Sequence, residues 1–424
     1  MSYSRSRTHN EKKARRRSKA RLLLAVNGFL LCCIAAVALA IWKSGEEPAA
    51  APPAAAEGAQ ASEPAAATPP PGSEEGEGDE EAPGAAEETP ATEEPSEEPA
   101  TDPAEGRESD DSTVTLALVG DILPAARVLE LMKMNGYDYP YREAKAYLQA
   151  ADIAAGNLET PLTTRGTPAE DKQYVFRGTA DALPALKEAG FDYLSLANNH
   201  TLDYGWEGLK DTMDALDDAD IWHSGSGSDD KEAFEPAYIE IRGLSVAFVS
   251  VSRVVPEVEW KADRNRPGVA EAYSPDRAVQ SIQEAKKNAD LVVVMAHWGI
   301  ERADRPVAHQ TDLAHRFVDA GADLVVGSHP HVLQGFESYK GKWIAYSLGN
   351  FVFSTTSMRS SETGILNATC GKDGSCALKF QPMFAKLSQP APMEDEEGKA
   401  LLKRLSSLSI GASVKEDGSI VAQN

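Results

Sequence analysis

From Thr113 onward the chain is punctuated by short runs of β-branched and other apolar residues, and most of them stop at a residue able to bind a metal or move a proton. The runs are TVTLALV before Gly120, DIAAG before Asn157, DYLSLA before Asn198, LSVAFVSV before Ser252, DLVVVMA before His297, DLVVGS before His329 and KWIAYSL before Gly349. Several are apolar at consecutive positions, the pattern of strands covered on both faces. Between them lie stretches of 3.6-residue periodicity, among them Leu183–Ala189, Gly208–Leu216, Ala278–Asn288 and Leu313–Ala320. Strands alternating with helices predict an α/β fold in which helices cover the sheets. In such folds ligands gather at the strand ends, where these polar residues fall.

In order, the strand-end clusters are Gly120-Asp121, Gly156-Asn157-Leu158-Glu159, Ala197-Asn198-Asn199-His200 with Asp203, Ala296-His297-Trp298-Gly299, Gly327-Ser328-His329-Pro330-His331 and Ser347-Leu348-Gly349-Asn350-Phe351. A lone Asp after a strand is ordinarily a turn or N-cap residue, and a lone His an ordinary hydrogen-bonded one. His-Pro-His is less ordinary, because rigid Pro330 holds two imidazoles on one turn. Together, carboxylates, amides and imidazoles from several strands form an N/O ligand set suited to Zn²⁺, Mn²⁺ or Fe²⁺.

The succession GD, GNLE, NNH with Asp three residues on, HWG, GSHPH and SLGNF resembles the CapA family of poly-γ-glutamate capsule biosynthesis proteins, a branch of the calcineurin-like metallophosphatase superfamily, over about Val114 to Phe353. The resemblance implies a four-layer α/β/β/α sandwich with a dinuclear metal site at the strand ends. It implies that Asp121 binds the first metal with His331, that Glu159 bridges, and that Asn199, His297 and His329 hold the second. His200 would be the proton donor or transition-state stabiliser, with Asp203 orienting its ring. A bridging carboxylate holds two cations about 3.5–4 Å apart, suited to hydrolysis or transfer at phosphorus. Two departures stand out: the superfamily's Asp-x-His is here Asp121-Ile122-Leu123, so the first site lacks an imidazole, and the bridge is Glu159 rather than Asp. Asn157, Asn198, Trp298, Glu301 and Asn350 are candidates for substrate contact or ligand support. Arg127, Arg165 and Arg253 are candidate anion-neutralising groups no different in sequence from surface arginines, and His223, His309 and His315 read as structural.

The rest of the chain has a different texture. Residues 1–21 carry a net charge of +8, residues 43–112 one of −19 and residues 113–424 one of −13, within a total of −24. Between the first two runs Leu22 to Trp42, 21 residues without a charge. At 1.5 Å per residue this spans about 31 Å, against roughly 30 Å for a hydrocarbon core. It reads as an uncleaved signal anchor rather than a cleaved signal peptide or a core helix, with the basic segment 1–21 cytoplasmic and the remainder outside. Residues 43–112, rich in Ala, Pro and Glu, read as a disordered linker, a solvated spacer rather than a partner-binding tail. The folded domain is expected over 113–388, with 389–424 as a C-terminal extension containing a short helix. Cys370 and Cys376 bracket the turn-rich GKDGS and are expected to form a disulfide clipping a surface hairpin.

Net acidity gives no footprint for nucleic acid. An anionic surface polymer or phosphate substrate is not excluded, because a pair of bound cations reverses the local potential of a cleft. The leading expectation is a membrane-anchored, extracytoplasmic CapA-like protein in capsule or poly-γ-glutamate synthesis or export, with a metal-dependent phosphoesterase-like site and other capsule-synthesis membrane proteins as partners. Two alternatives stand beside it: an extracytoplasmic metallophosphoesterase acting on nucleotide or cell-wall phosphate, and a non-catalytic scaffold of a polymer export complex.

Overall fold

The computed structural model of the protein describes residues 112–423, apart from 356 and 394. The expected cytoplasmic segment, membrane span and linker (1–21, 22–42, 43–112) lie outside the described residues but for residue 112. Among the described residues no helix is long and apolar enough to cross a membrane.

Each apolar run of the sequence forms a strand, and the strands sort into two sheets. The first has Thr113–Ile122, Ile153–Leu158, Phe191–Ser195 and Trp222–Ser224 side by side and parallel. On the other side of Thr113–Ile122 it continues antiparallel through Glu362–Gly371, Cys376–Lys386, Ser419–Ala422 and Ala412–Val414. The second sheet has the parallel core Leu244–Ser252, Leu291–His297, Leu324–Ser328 and Lys342–Ala345, with Ala237–Ile241 and Phe336–Tyr339 antiparallel at its edges.

The period-2 alternation of side chains on a strand builds the layers. Leu116 and Leu118 face Val246, Phe248, Val293 and Met295 in a core between the sheets. Their neighbours Ala117 and Val119 face the other way, onto Val128, Met132, Leu186 and Leu209 of helices covering the first sheet. Val292 and Val294 likewise meet Ile282, Leu313 and Phe317 from the helices Asp276–Asn288 and Ala308–Ala320. The order is helix, sheet, sheet, helix. The Tyr193 ring stacks 4.2 Å from Phe248 across the sheet interface, and its hydroxyl bonds Ser224 of one sheet and Ser250 of the other at 2.5 and 2.6 Å. The two sheets are thus fixed in register by one buried side chain, with its polar tip satisfied.

Residues 389–424 are not an appendage to the domain. Helix Asp395–Leu408 places Leu401, Leu402 and Leu405 in the core between the sheets, and Ser419–Ala422 pairs with Cys376–Lys386. The sequence boundary at 388 rests on the acidic, polar composition after Pro390, yet Leu387 and Ser388 are a tight turn between two paired strands, Cys376–Lys386 and Gln389–Pro392. The disulfide between Cys370 and Cys376 closes an antiparallel hairpin in which the two residues face each other, with Cα atoms 4.1 Å apart. The bridge clips a hairpin whose turn residues Lys372, Asp373 and Ser375 are exposed, as expected, while Cys370 itself is fully buried at the edge of the core.

Two outcomes follow. Burying a leucine contributes about 1.5–3 kcal/mol, and three of them rival a typical domain stability of about 5–15 kcal/mol. A chain ending at Ser388 should therefore lose cooperative thermal unfolding, whereas a true appendage would leave the transition unchanged. Replacing both Cys370 and Cys376 by Ser should cost about 2 kcal/mol for so short a loop, read as a lowered Tm, with a non-reducing peptide map of the parent showing the two peptides joined.

Candidate metal centre

The parallel strands of both sheets end along one seam, and their registers bring the polar residues together. Asp121 lies beside Asn157 on one side and Asn350 on the other, while His297 lies between Ser252 and Ser328. Two glycines let the backbone close in. A Cβ at Gly120 would sit 1.9 Å from the Gly349 carbonyl oxygen, the atom that accepts the Asp121 amide at 2.9 Å. A Cβ at Gly327 would sit 2.0 Å from the Tyr346 carbonyl oxygen. His329 and His331, on either side of Pro330, adopt φ of 94° and 56°. Such left-handed backbone costs a non-glycine residue about 1–3 kcal/mol and persists only where the surroundings impose it.

Glu159 is the least satisfied group in the site. It is fully buried, and among the described residues neither carboxylate oxygen has a hydrogen-bond partner. The imidazole nitrogens His297 Nε2 and His331 Nε2 lie 3.6 and 3.8 Å from its Oε1. Burial, reinforced by the Asp121 charge, pushes its carboxyl well above the usual range against the pull of His331 and Lys172. Asp121 goes the other way. Burial alone would raise it, but the hydrogen bond and charge of His331, with His297 and the 2.8 Å bond from Asn157 Nδ2, hold it below the ordinary carboxylate range.

The imidazoles divide similarly. Burial, then the neighbouring histidines, push His297 well down and His329 down to about 3. Burial opposes charge on His331 too, but Glu159 and Asp121 outweigh it and push it up to about 10. His331 Nδ1 lies 2.8 Å from Asn350 Oδ1 and 3.3 Å from Asp121. His297 Nε2 is 2.8 Å from Asn199 Oδ1 and its Nδ1 2.9 Å from Ser328 Oγ. The buried His329 Nδ1 has no hydrogen-bond partner among the described residues.

A buried carboxylate with two orphan oxygens and an orphan imidazole nitrogen, ringed by further carboxylate, amide and imidazole groups, is the surrounding a divalent cation satisfies. Two overlapping groups have ligand atoms all within 4.8 Å of one another: Asp121, Glu159 and His297, and Glu159, His329 and His331. Both contain Glu159, in keeping with a bridging role. The division exchanges His297 and His331 relative to that expected from the resemblance, because Asp121 lies close to both imidazoles.

Beside this cluster stands His200, whose Nδ1 is 2.7 Å from Asp203 Oδ2. An ionised carboxylate only accepts, so the proton of that bond belongs to Nδ1. Burial, against the pull of Asp203, lowers the pKa of His200, and the Lys172 charge adds to the lowering. Asn157 and Asn198 hold the loop in place. Asn198 Nδ2 donates to Asn157 Oδ1 and to the Leu158 carbonyl, and its Oδ1 accepts the His200 amide. Lys172, Phe176 and Ser328 complete the surroundings. Ser328 falls inside a cluster already marked in the sequence, whereas Lys172 and Phe176 come from an irregular loop with no periodicity to flag them.

Other candidates lie elsewhere. Trp298 does not line the cleft: it is buried on the helix side, 6.3 Å from Phe317 and 6.2 Å from Tyr346, donating to the Tyr346 carbonyl oxygen. Alternation explains this, since the residue after inward-facing His297 must face outward. Glu301 is exposed in a turn. Arg127 and Arg165 pair with Glu130 and Asp211 on the surface. Arg253 borders the site, its amide donating to the His297 carbonyl oxygen and its guanidinium 3.9 Å from the Tyr273 ring. His309 and His315 sit in helix Ala308–Ala320, His315 bonded to Glu337, and His223 lies 3.4 Å from Asp217.

The electrostatics predict proton-linked metal binding. In chelated protein at pH 7, His331 is charged, its imidazole pushed up to about 10. It must lose that proton to act as a ligand, and the burial that favours the neutral carboxyl of Glu159 acts in the same direction, so adding Mn²⁺ should release protons, and affinity should rise with pH. Titration calorimetry in buffers of different ionisation enthalpy measures this directly, and Glu159→Gln should remove most of the binding.

Residues 115–355 match the family described as "Bacterial capsule synthesis protein PGA_cap". The chain is 36% identical over 298 residues to the capsule biosynthesis protein CapA of Bacillus anthracis, covering 69% of this chain and 72% of that one. It is 34% identical over 316 residues to the PGA biosynthesis protein CapA of Bacillus subtilis, covering 73% and 82%. Among solved structures, NAD nucleotidase of Haemophilus influenzae aligns with 12% identity and a TM-score of 0.42, over 70% of this chain and 63% of that one. All six strand-end clusters, from Asp121 to Asn350, fall within the matched region, and the chain belongs to the PGA_cap family of bacterial capsule synthesis proteins.

Proposed function

We propose that this protein is a membrane-anchored, extracytoplasmic CapA-type protein of capsule or poly-γ-glutamate synthesis or export, and that its site carries out metal-dependent hydrolysis or transfer at phosphorus. The observation that carries the chemistry is the buried Glu159 carboxylate with two unpartnered oxygens, set among Asp121, His297, His329 and His331 and beside an oriented His200–Asp203 pair. Two divalent cations, Mn, Zn or Fe, held there would supply Lewis-acid polarisation of a phosphoryl group. The capsule role rests on family membership, and the anchoring on the uncharged stretch 22–42 behind a basic segment.

The residues divide the work. Glu159, Asp121 and the three imidazoles hold the cations, with Asn199 placed through His297 and Asn350 through His331. His200 is neutral in the resting site, with its proton on Nδ1 and no hydrogen-bond partner for Nε2 among the described residues. An arriving phosphate brings negative charge that raises the imidazole pKa, so Nε2 takes up a proton and delivers it to the leaving oxygen. Polymer or membrane-protein partners are part of the proposal through the family alone.

The test uses full-length protein in detergent. Elemental analysis should find bound Mn, Zn or Fe, and a generic phosphodiester should turn over. His200→Ala should lower kcat by about 10²–10⁴-fold while leaving metal content unchanged. Metal-free protein without turnover would instead favour the scaffold reading, for which the missing imidazole after Asp121 speaks. A deletion strain complemented with the His200→Ala gene should lack surface polymer, and full polymer there would separate the site from the capsule role.

A further inference from the structure

The loop between Leu162 and Gly178 folds across the segment that bears His200. Ala169 donates its amide to the Asp203 carbonyl oxygen at 2.8 Å, and the Phe176 amide donates to Asp203 Oδ2 at 2.7 Å. A Cβ at Gly166 would lie 2.0 Å from the Tyr204 carbonyl oxygen, and the Arg177 guanidinium sits 4.5 Å from the Tyr204 ring. The Phe176 ring itself lies 4.6 Å from that of His200. Lys172 points inward from this loop. Its ammonium donates to the Asn199 carbonyl oxygen at 2.6 Å and to Asp203 Oδ1, and lies 3.0 Å from His200 Nδ1 and 5.1 Å from the Trp260 ring.

We infer that Lys172 is a positioning residue for His200: by holding one oxygen of buried Asp203 and the Asn199 carbonyl, it keeps the other Asp203 oxygen on Nδ1 and so fixes the ring and its tautomer. The inference rests on the reading of His200 as the proton-transferring group of the proposed phosphoryl chemistry. Asp203 is completely buried and receives three donors: Lys172, the Phe176 amide and His200 Nδ1–H. Without Lys172 one oxygen of a buried carboxylate would be bare, and the group would turn or take up a proton, either of which releases His200. The 3.0 Å approach of Nζ to Nδ1 is a charge contact rather than a second hydrogen bond, because Nδ1 already carries the proton donated to Asp203.

A direct role in binding an anionic substrate fits less well. The Lys172 side chain is only 12% exposed, and two of its three N–H directions are taken by Asn199 and Asp203. Its remaining close neighbours are the His200 imidazole and the Trp260 ring. The ammonium therefore acts through Asp203 and His200 rather than on the substrate.

Two measurements on full-length protein test this. With histidine labelled in ¹⁵N, and the His200 signals identified by their loss in His200→Gln, the parent should show the Nδ1-protonated pattern. Lys172→Met should shift His200 towards a mixture of tautomers, and Lys172→Arg should restore the pattern in part. Thermal melts and metal content establish that each variant is folded, and an unchanged pattern in folded Lys172→Met would overturn the inference. In kinetics, Lys172→Met should lower kcat by about 10–100-fold with KM altered by less than about threefold, and should add no more than about a twofold loss to His200→Ala. A full, additive loss on top of His200→Ala, or an effect confined to KM, would assign Lys172 to the substrate instead. If the parent turns over no phosphodiester, the proposed chemistry fails, and the ring pattern alone still decides whether Lys172 positions His200.

Discussion

Everything at the strand-end seam is organised around a carboxylate that the protein does not itself satisfy. Glu159 lies fully buried with no donor on either oxygen, Asp121 is close enough to repel it, and the imidazoles around it differ widely in their hold on a proton. In a protein interior such a group costs several kcal/mol unless it is compensated. The fold maintains it anyway, through parallel registers that set Asp121 beside Asn157 and His297 beside Ser328, and through glycines that admit neighbouring carbonyls where any side chain would collide. The left-handed backbone at His329 and His331 belongs to the same arrangement. It directs two consecutive imidazoles, separated by a rigid proline, toward one point.

Local conflict of this kind is tolerable because the layers around it are conventional. The strands alternate strictly between the core shared by the two sheets and the cores beneath the helices, and Tyr193 stitches one sheet to the other with its hydroxyl shared by Ser224 and Ser250. Sites of concentrated strain and unpaired charge need such a rigid frame, since a softer one would relax by swinging the ligands apart.

Much of this was legible in the sequence, for identifiable reasons. The apolar runs before Gly120, Asn157, Asn198, His297 and His329 announced strands because they are short, apolar and bounded by polar residues, and helix Leu183–Ala189 matches the expected stretch to the residue, ended by Gly190 in the left-handed conformation. The ligand cluster was legible because strand ends are where chemistry collects. Trp298 was misassigned by proximity to His297, although the alternation of a strand would have sent it to the opposite face. The segment after 388 looked detachable because its apolar residues are sparse, yet Leu401, Leu402 and Leu405 are buried in the core between the sheets. Lys172 left no trace at all: it reaches His200 from a loop whose path depends on backbone contacts to Asp203 and Tyr204 that no local pattern encodes.

The pairing of the first strand sets a condition on how the molecule comes into being. Thr113–Ile122 has Ile153–Leu158 on one side, available soon after it in the chain, but on its other side lie Asn350–Val352 and Glu362–Gly371, some 230 to 250 residues later. Contacts of such separation form slowly, and until they form an apolar strand edge stands open. A chain emerging from its N-terminal end therefore carries an unpaired edge through most of its synthesis. Asp121 and Asn350 meet only when that edge is closed, so the candidate metal cluster cannot be complete until Asn350 has joined the sheet, more than two hundred residues after Asp121 was made.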